Sequence, residues 1–337
     1  MMRRAWLAIS LLGLAACTSE PALEPAWSPV FDELDGTLLS AWGPSLDELW
    51  LVGGGLGAPG EALAVRHDGD RWTRIESGTD ETFWWVWGSG PDDVFFVGTG
   101  GYIGHWDGAS IQRMESPTTS VLFGVWGAGP NDVWAVGGDP LGAGERDLIV
   151  HYDGSTWSTV TLADPPGVAL FKVWGAAADD VWAVGQRGVI LHFDGRAWSA
   201  SDSGVTTDLF TVTGASATDV WAVGGSPPTL LHNEGSGWSR MDNPGLAAQL
   251  NGIAVGQDGS VLVVGNNGVK WRREASGAWF DEFDQPPFLD LHAAWLAPDA
   301  RDGLVVGGNF NAPAAAQRVG VAAYFGATPP SDVWAGP

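Results

Sequence analysis

Four of the six histidines fall in one local pattern: His105, His151, His192 and His232 each stand two residues before an Asp or Glu that opens a turn. Imidazoles ligate metals and move protons, but a metal site needs its donors within about 2 Å of one ion. Equivalent positions of successive repeats lie much farther apart than that, so each histidine is expected to hydrogen-bond within its own repeat. Paired acids recur as well, at Asp47-Glu48, Asp92-Asp93, Asn131-Asp132 and Asp179-Asp180. Oxygen-rich loops can hold calcium, but these lack the spacing of a calcium loop and fit turns in which Asp bonds to the backbone. Ser, His and Asp are all present without a nucleophile elbow. Nothing singles out a glycosidase carboxylate pair among the 40 acids. No catalytic residue, metal or cofactor is therefore nominated.

The elements that carry these residues repeat. The clearest copy runs Phe171-Lys172-Val173-Trp174-Gly175, Asp180 to Gly185, Val189 to Gly195 and Trp198-Ser199. These are short runs rich in β-branched and aromatic residues, bounded by Gly or Asp turns, and they predict four strands, A to D. The glycine that ends strand B recurs at Gly53, Gly98, Gly137, Gly185, Gly224, Gly265 and Gly307, at intervals of 39 to 48 residues. Seven copies at a near-constant period predict an all-β fold: a closed seven-bladed β-propeller of four-stranded antiparallel blades. Trp27 to Phe31 has the form of a strand D but precedes the first strand A, so this N-terminal strand is expected to complete the last blade and close the ring. Ser331 to Ala335 resembles another strand B, which leaves open a partial eighth repeat.

The Asp180-Val181-Trp182-Ala183-Val184-Gly185 run and the Asp153-Gly154-Ser155-Thr156-Trp157 ending resemble kelch-type and tectonin propeller repeats over most of residues 27–326. Asp153-Gly154 is also similar to the Asp-box of sialidases, although those enzymes use an arginine cluster that this chain lacks. The tectonin resemblance implies sugar or lipid A binding and transfers no particular residue.

Arg3-Arg4, the apolar Ala5 to Leu14 and Leu14-Ala15-Ala16-Cys17 resemble a bacterial lipoprotein signal. The resemblance implies a signal peptide over 1–16, lipidation of Cys17, a linker over 17–26 and the propeller over 27–337. Cys17 is the only cysteine, which excludes an internal disulfide. Thr18 in place of Asp implies the outer membrane or cell surface. The formal net charge of −24 becomes more negative once Arg3 and Arg4 are removed, and it repels phosphate backbones. Nucleic acid is thus not expected as a partner. The membrane is met through the lipid.

Most tryptophans recur at fixed strand positions and are expected in the core. One strand A position varies freely: Ser40, Trp85, Gly124, Lys172, Thr211, Asn251 and His292, counted from the first aromatic of each strand. Strand A lines the channel of a propeller, and Trp85 is the candidate stacking platform there. The long B–C loops, 53–61, 137–147 and 307–318, open on the same face, where binding residues sit on a rigid scaffold. Trp85, Lys172, Asn251, His292 and Phe310 are the ligand-binding candidates. The reading is a non-catalytic binding module of the cell envelope for a protein or glycan. The alternatives are a scaffold of an outer-membrane complex, similar in kind to the propeller lipoprotein of barrel assembly, and a sialidase-like or lyase-like carbohydrate-active enzyme.

Overall fold

A computed structural model describes residues 24–55, 62–142, 144–313 and 317–335. Residues 1–16, expected above to be a signal peptide, and Cys17 lie outside the described residues. The described chain forms seven four-stranded antiparallel sheets, each in the order A-B-C-D from the inside out. The innermost strands are Thr37–Ser45, Phe83–Gly90, Leu122–Gly129, Leu170–Ala177, Leu209–Ser216, Leu250–Val255 and Asp290–Leu296. Each touches its neighbours, and the seventh touches the first, so the blades close a ring.

Packing explains the repeat. Every strand B is buried on both faces, as in Asp180–Gly185, because each sheet is pressed between two others. The apolar clusters accordingly lie between blades. One joins Trp134, Val136 and Ile149 of blade 3 to Leu170, Val173 and Ala183 of blade 4. The Trp-Gly dipeptide that ends most A strands works across the same seams. The Trp42, Trp87, Trp126 and Trp174 rings lie against Gly88, Gly127, Gly175 and Gly214 of the next blade, where a Cβ would overlap the indole.

The histidines bond within their blades as expected. His105 reaches Asp93 at 2.5 Å, His151 reaches Asp132 at 2.6 Å, His192 reaches Asp180 at 2.6 Å and His232 reaches Asp219 at 2.8 Å. The last three rings also cover the strand B tryptophan, with centroids 3.8 to 4.1 Å apart. In blade 1 the same place is taken by Arg66 on Glu48, at 2.6 Å. The first member of each acid pair sits beneath the glycine of the C–D turn, as Asp179 does under Gly195. The aspartate of that turn caps it: Asp153 Oδ1 accepts the N–H of Thr156 at 2.8 Å and of Ser155 at 2.9 Å. These bonds hold its carboxyl down to about 2.

The N-terminal strand, Ala26–Asp35, pairs with Val319–Gly326 and completes blade 7. Trp27 packs on Phe325 with centroids 5.3 Å apart and donates to Glu282 at 2.7 Å. The Ser331–Ala335 segment makes no eighth blade. Its backbone joins the outer strand of blade 1 through Trp72 N–H to the Val333 carbonyl at 2.8 Å and Ala335 N–H to the Trp72 carbonyl at 2.9 Å. Phe31 lies edge-on to both Trp72, at 5.1 Å, and Trp334, at 5.6 Å. It therefore ties both chain ends to the seam between blades 7 and 1. Phe31→Ala is expected to cost about 3 kcal/mol in urea unfolding and to raise hydrogen exchange at Trp72 and Ala335 before the rest of the ring. Equal exchange at these amides in both proteins would show that Phe31 does not hold the seam.

Candidate functional site

The glycine that ends strand B shapes the site. In blade 1, Leu38 pairs with Gly53 and Ser40 with Val52, so Leu39 has no partner. In blade 4, Leu170 pairs with Gly185 and Lys172 with Val184, leaving out Phe171. The same one-residue skip occurs in every blade, a β-bulge at Leu39, Trp84, Phe123, Phe171, Phe210, Asn251 and His292. A Cβ on the paired glycine would overlap the carbonyl leading into strand A, Thr37 O for Gly53 and Ala169 O for Gly185. Gly98 and Gly185 have a φ of −164°, which is extended backbone, so glycine is required for room rather than for its backbone angle.

Six of the seven bulge residues, all but the buried Leu39, line the mouth of the channel on the B–C and D–A loop face. Trp84, Phe123, Phe171 and Phe210 follow one another with centroids 5.0 to 5.5 Å apart, within the range of favourable edge-to-face pairs. His292 closes the circle 6.0 Å from Trp84, and Phe310 of the last B–C loop stands 5.8 Å above it. The cavity they enclose is about 450 Å³ and mostly apolar in its lining.

A bulge frees backbone carbonyls, and polar side chains of neighbouring blades take them up. Asn251 Nδ2 donates to Leu291 O at 2.8 Å and Thr211 Oγ1 to Asn251 O at 2.7 Å. His292 Nδ1 lies 2.6 Å from Leu39 O. A carbonyl only accepts, so Nδ1 carries the proton and Nε2 is left as an acceptor. Burial disfavours the imidazolium, and the Lys172 charge adds to that, so His292 falls to about 3 despite its bond to Leu39. Lys172 stands one residue beyond the bulge and is 4% exposed. Its Nζ donates to Phe123 O at 2.9 Å and rests 3.7 Å over the Trp85 ring.

Lys172, Asn251, His292 and Phe310 thus come together at the mouth. Trp85 does not join them there. It lines the channel below, under the Lys172 ammonium. The variable position read from sequence is in fact two positions. Asn251 and His292 belong to the bulge, whereas Ser40, Trp85, Gly124, Lys172 and Thr211 belong to the next rung, with Gly252 and Ala293. Trp84, Phe123, Phe171 and Phe210 were missed. Counting back from the strand B glycine finds them, since the bulge lies 14 residues before it in blades 1 to 6 and 15 in blade 7. A second cleft, about 920 Å³, lies on the opposite face under residues 327–331. Two of its three arginines are engaged, Arg272 with Glu282 at 2.9 Å and Arg273 with Gly259 O at 2.7 Å, and Arg301 is exposed beside Asp299.

No family profile and no curated protein matches the chain. Solved structures do match in fold. Virginiamycin B lyase from Staphylococcus aureus overlays with a TM-score of 0.69, covering 89% of this chain and 99% of its own, at 13% identity. YCF48 from Cyanidioschyzon merolae gives 0.65 over 89% and 99%, at 15% identity. YCF48 bound to D1 peptide gives 0.62 over 91% and 99%, also at 15% identity. The likeness is one of fold: a lyase and a peptide-binding protein share it.

The depressed value of His292 has a defined consequence for acid stability. Because the folded state resists protonation, the stability linked to this group is intact above about pH 6.5 and is lost as the pH falls toward 3. Asn251 makes the same side chain to carbonyl bond one blade earlier, so His292→Asn keeps a donor and removes the titration. Urea midpoints between pH 7 and 3 are expected to fall less steeply in the variant. Parallel curves would show that His292 does not titrate with unfolding.

Proposed function

We propose that this chain is a non-catalytic binding propeller of the cell envelope, held to the membrane through lipidated Cys17, and that its mouth takes an apolar, aromatic-bearing segment of a protein partner. One observation carries the reading. Aromatic residues of four consecutive blades and one loop converge on an open cavity instead of a core. Concave, largely apolar sites with a few placed polar groups are where ligands bind. The peptide bound by YCF48 is consistent with a protein partner, and a sugar stacked on Trp84 is the glycan version of the same site. The reading is tested by crosslinking and pull-down from intact cells, with the full-length chain and its Trp84→Ala/Phe171→Ala variant. Capture that the variant loses at least tenfold, at unchanged thermal midpoint, supports the mouth. Undiminished capture moves the site elsewhere, with the opposite cleft next in line.

A lyase is the second reading, favoured by the unprotonated Nε2 of His292 at the mouth and by the fold shared with virginiamycin B lyase. Against it, a histidine held down at about 3 is a weak base at neutral pH. The acid that lines the mouth, Asp290, already accepts the Asn267 N–H at 2.8 Å. Incubation with virginiamycin B, followed by mass spectrometry for a cleavage product, is expected to show no turnover. Turnover abolished by His292→Ala would replace the binding reading with the lyase.

A further inference from the structure

The chain buries two lysines, and they are treated differently. Lys270 is fully buried and spends all three ammonium donors on carbonyls: Gly268 at 2.8 Å, Gln285 at 2.8 Å and Pro287 at 3.2 Å. Lys172, 4% exposed, donates to one carbonyl, Phe123, and rests on the Trp85 face. Among the described residues, no carboxylate lies within ion-pair distance of it. The acid nearest in kind, Asp290 on the mouth, is bonded to Asn267 N–H instead, and His292 is neutral. An ammonium at this depth without a counter-ion is costly. Burial accordingly pushes its titration well below that of an ordinary lysine.

Position makes this more than a packing detail. Lys172 alone, among the described residues, lines both the mouth and the channel cavity beneath it. It therefore forms the floor on which anything entering between the aromatic walls must land. The Trp85 face below it holds the ammonium in place, with donor capacity left over.

We propose that Lys172 is an anion-binding residue of this site: the mouth takes a ligand whose apolar or aromatic body packs on Trp84, Phe123 and Phe171 and whose carboxylate bonds to the Lys172 ammonium. The ligand supplies the missing counter-charge, and a charge-assisted bond in a largely desolvated pocket is strong. This rests on the mouth being the binding site. A peptide C-terminus and a free aromatic acid share the required chemistry.

Calorimetry on the full-length chain separates the possibilities. The probes are indole-3-acetate and its amide, and an Ala-Ala-Phe peptide with a free or an amidated C-terminus. Wild type is expected to bind one acid at least tenfold more tightly than its amide. A preference within the peptide pair identifies a chain terminus, and one within the indole pair a small acid. Lys172→Met, close in volume, is expected to fold with an unchanged or higher thermal midpoint and to bind acid and amide alike. Lys172→Gln serves if that variant does not fold. Equal binding of acid and amide by wild type, or a preference that survives loss of the lysine, overturns the carboxylate assignment and leaves the mouth intact as a binding site. No binding of any probe overturns both.

Discussion

The close approach of the strand B glycine to the carbonyl that leads into strand A is the contact on which the rest of the structure depends. With no Cβ in the way, the inner strand presses against its neighbour, and the pairing slips by one residue. That slip is what turns a side chain out of the ladder and into the mouth. The glycine that spaces the repeats and the residues that could hold a ligand are thus cause and consequence. Seven repetitions of one backbone irregularity build a ring of side chains whose identities the fold leaves free, because a bulged residue answers to no cross-strand partner.

Below that ring the blade is tightly constrained. Tryptophan packs on glycine across four of the seams, histidine, arginine or, in blade 7, tyrosine bonds to an acid within the blade, and aspartate or asparagine caps most outer turns. These arrangements use the residues that are usually associated with chemistry, yet each satisfies a local structural need. Most buried polar groups of folded chains find partners, and a repeat solves the same problem in blade after blade. The polar groups left for function are those whose surroundings break the pattern: Lys172 has no acid, and His292 occupies a position held by aromatics in blades 2 to 5.

Much of the architecture was legible in the sequence. The glycine spacing gave the blade count, Trp27 to Phe31 showed the closing strand, and the histidines fell where their repeat position put them. The mouth was legible only in part. The position counted from the first aromatic is the rung below the bulge in blades 1 to 5, which points to Trp85 instead of Trp84. In blades 6 and 7 the bulge aromatic is replaced by Asn251 and His292, so the same spacing there falls on the bulge and mixes two rungs. A bulge is a change of pairing and not of composition, so hydrophobic pattern does not reveal it. The Ser331 to Ala335 run misleads for a related reason, since a strand-like sequence at the chain end finds an edge to join rather than a blade to build.

The closing strand also fixes an order of events. Ala26–Asp35 leaves the ribosome long before its partner, Val319–Gly326. Blade 7 cannot exist until that partner has been made, and until then both the closing strand and the flank of blade 1 stand unpaired. Contacts of such sequence separation make folding slow and leave strand edges open to other chains. The seam that holds the finished ring shut is, during synthesis, its most exposed part.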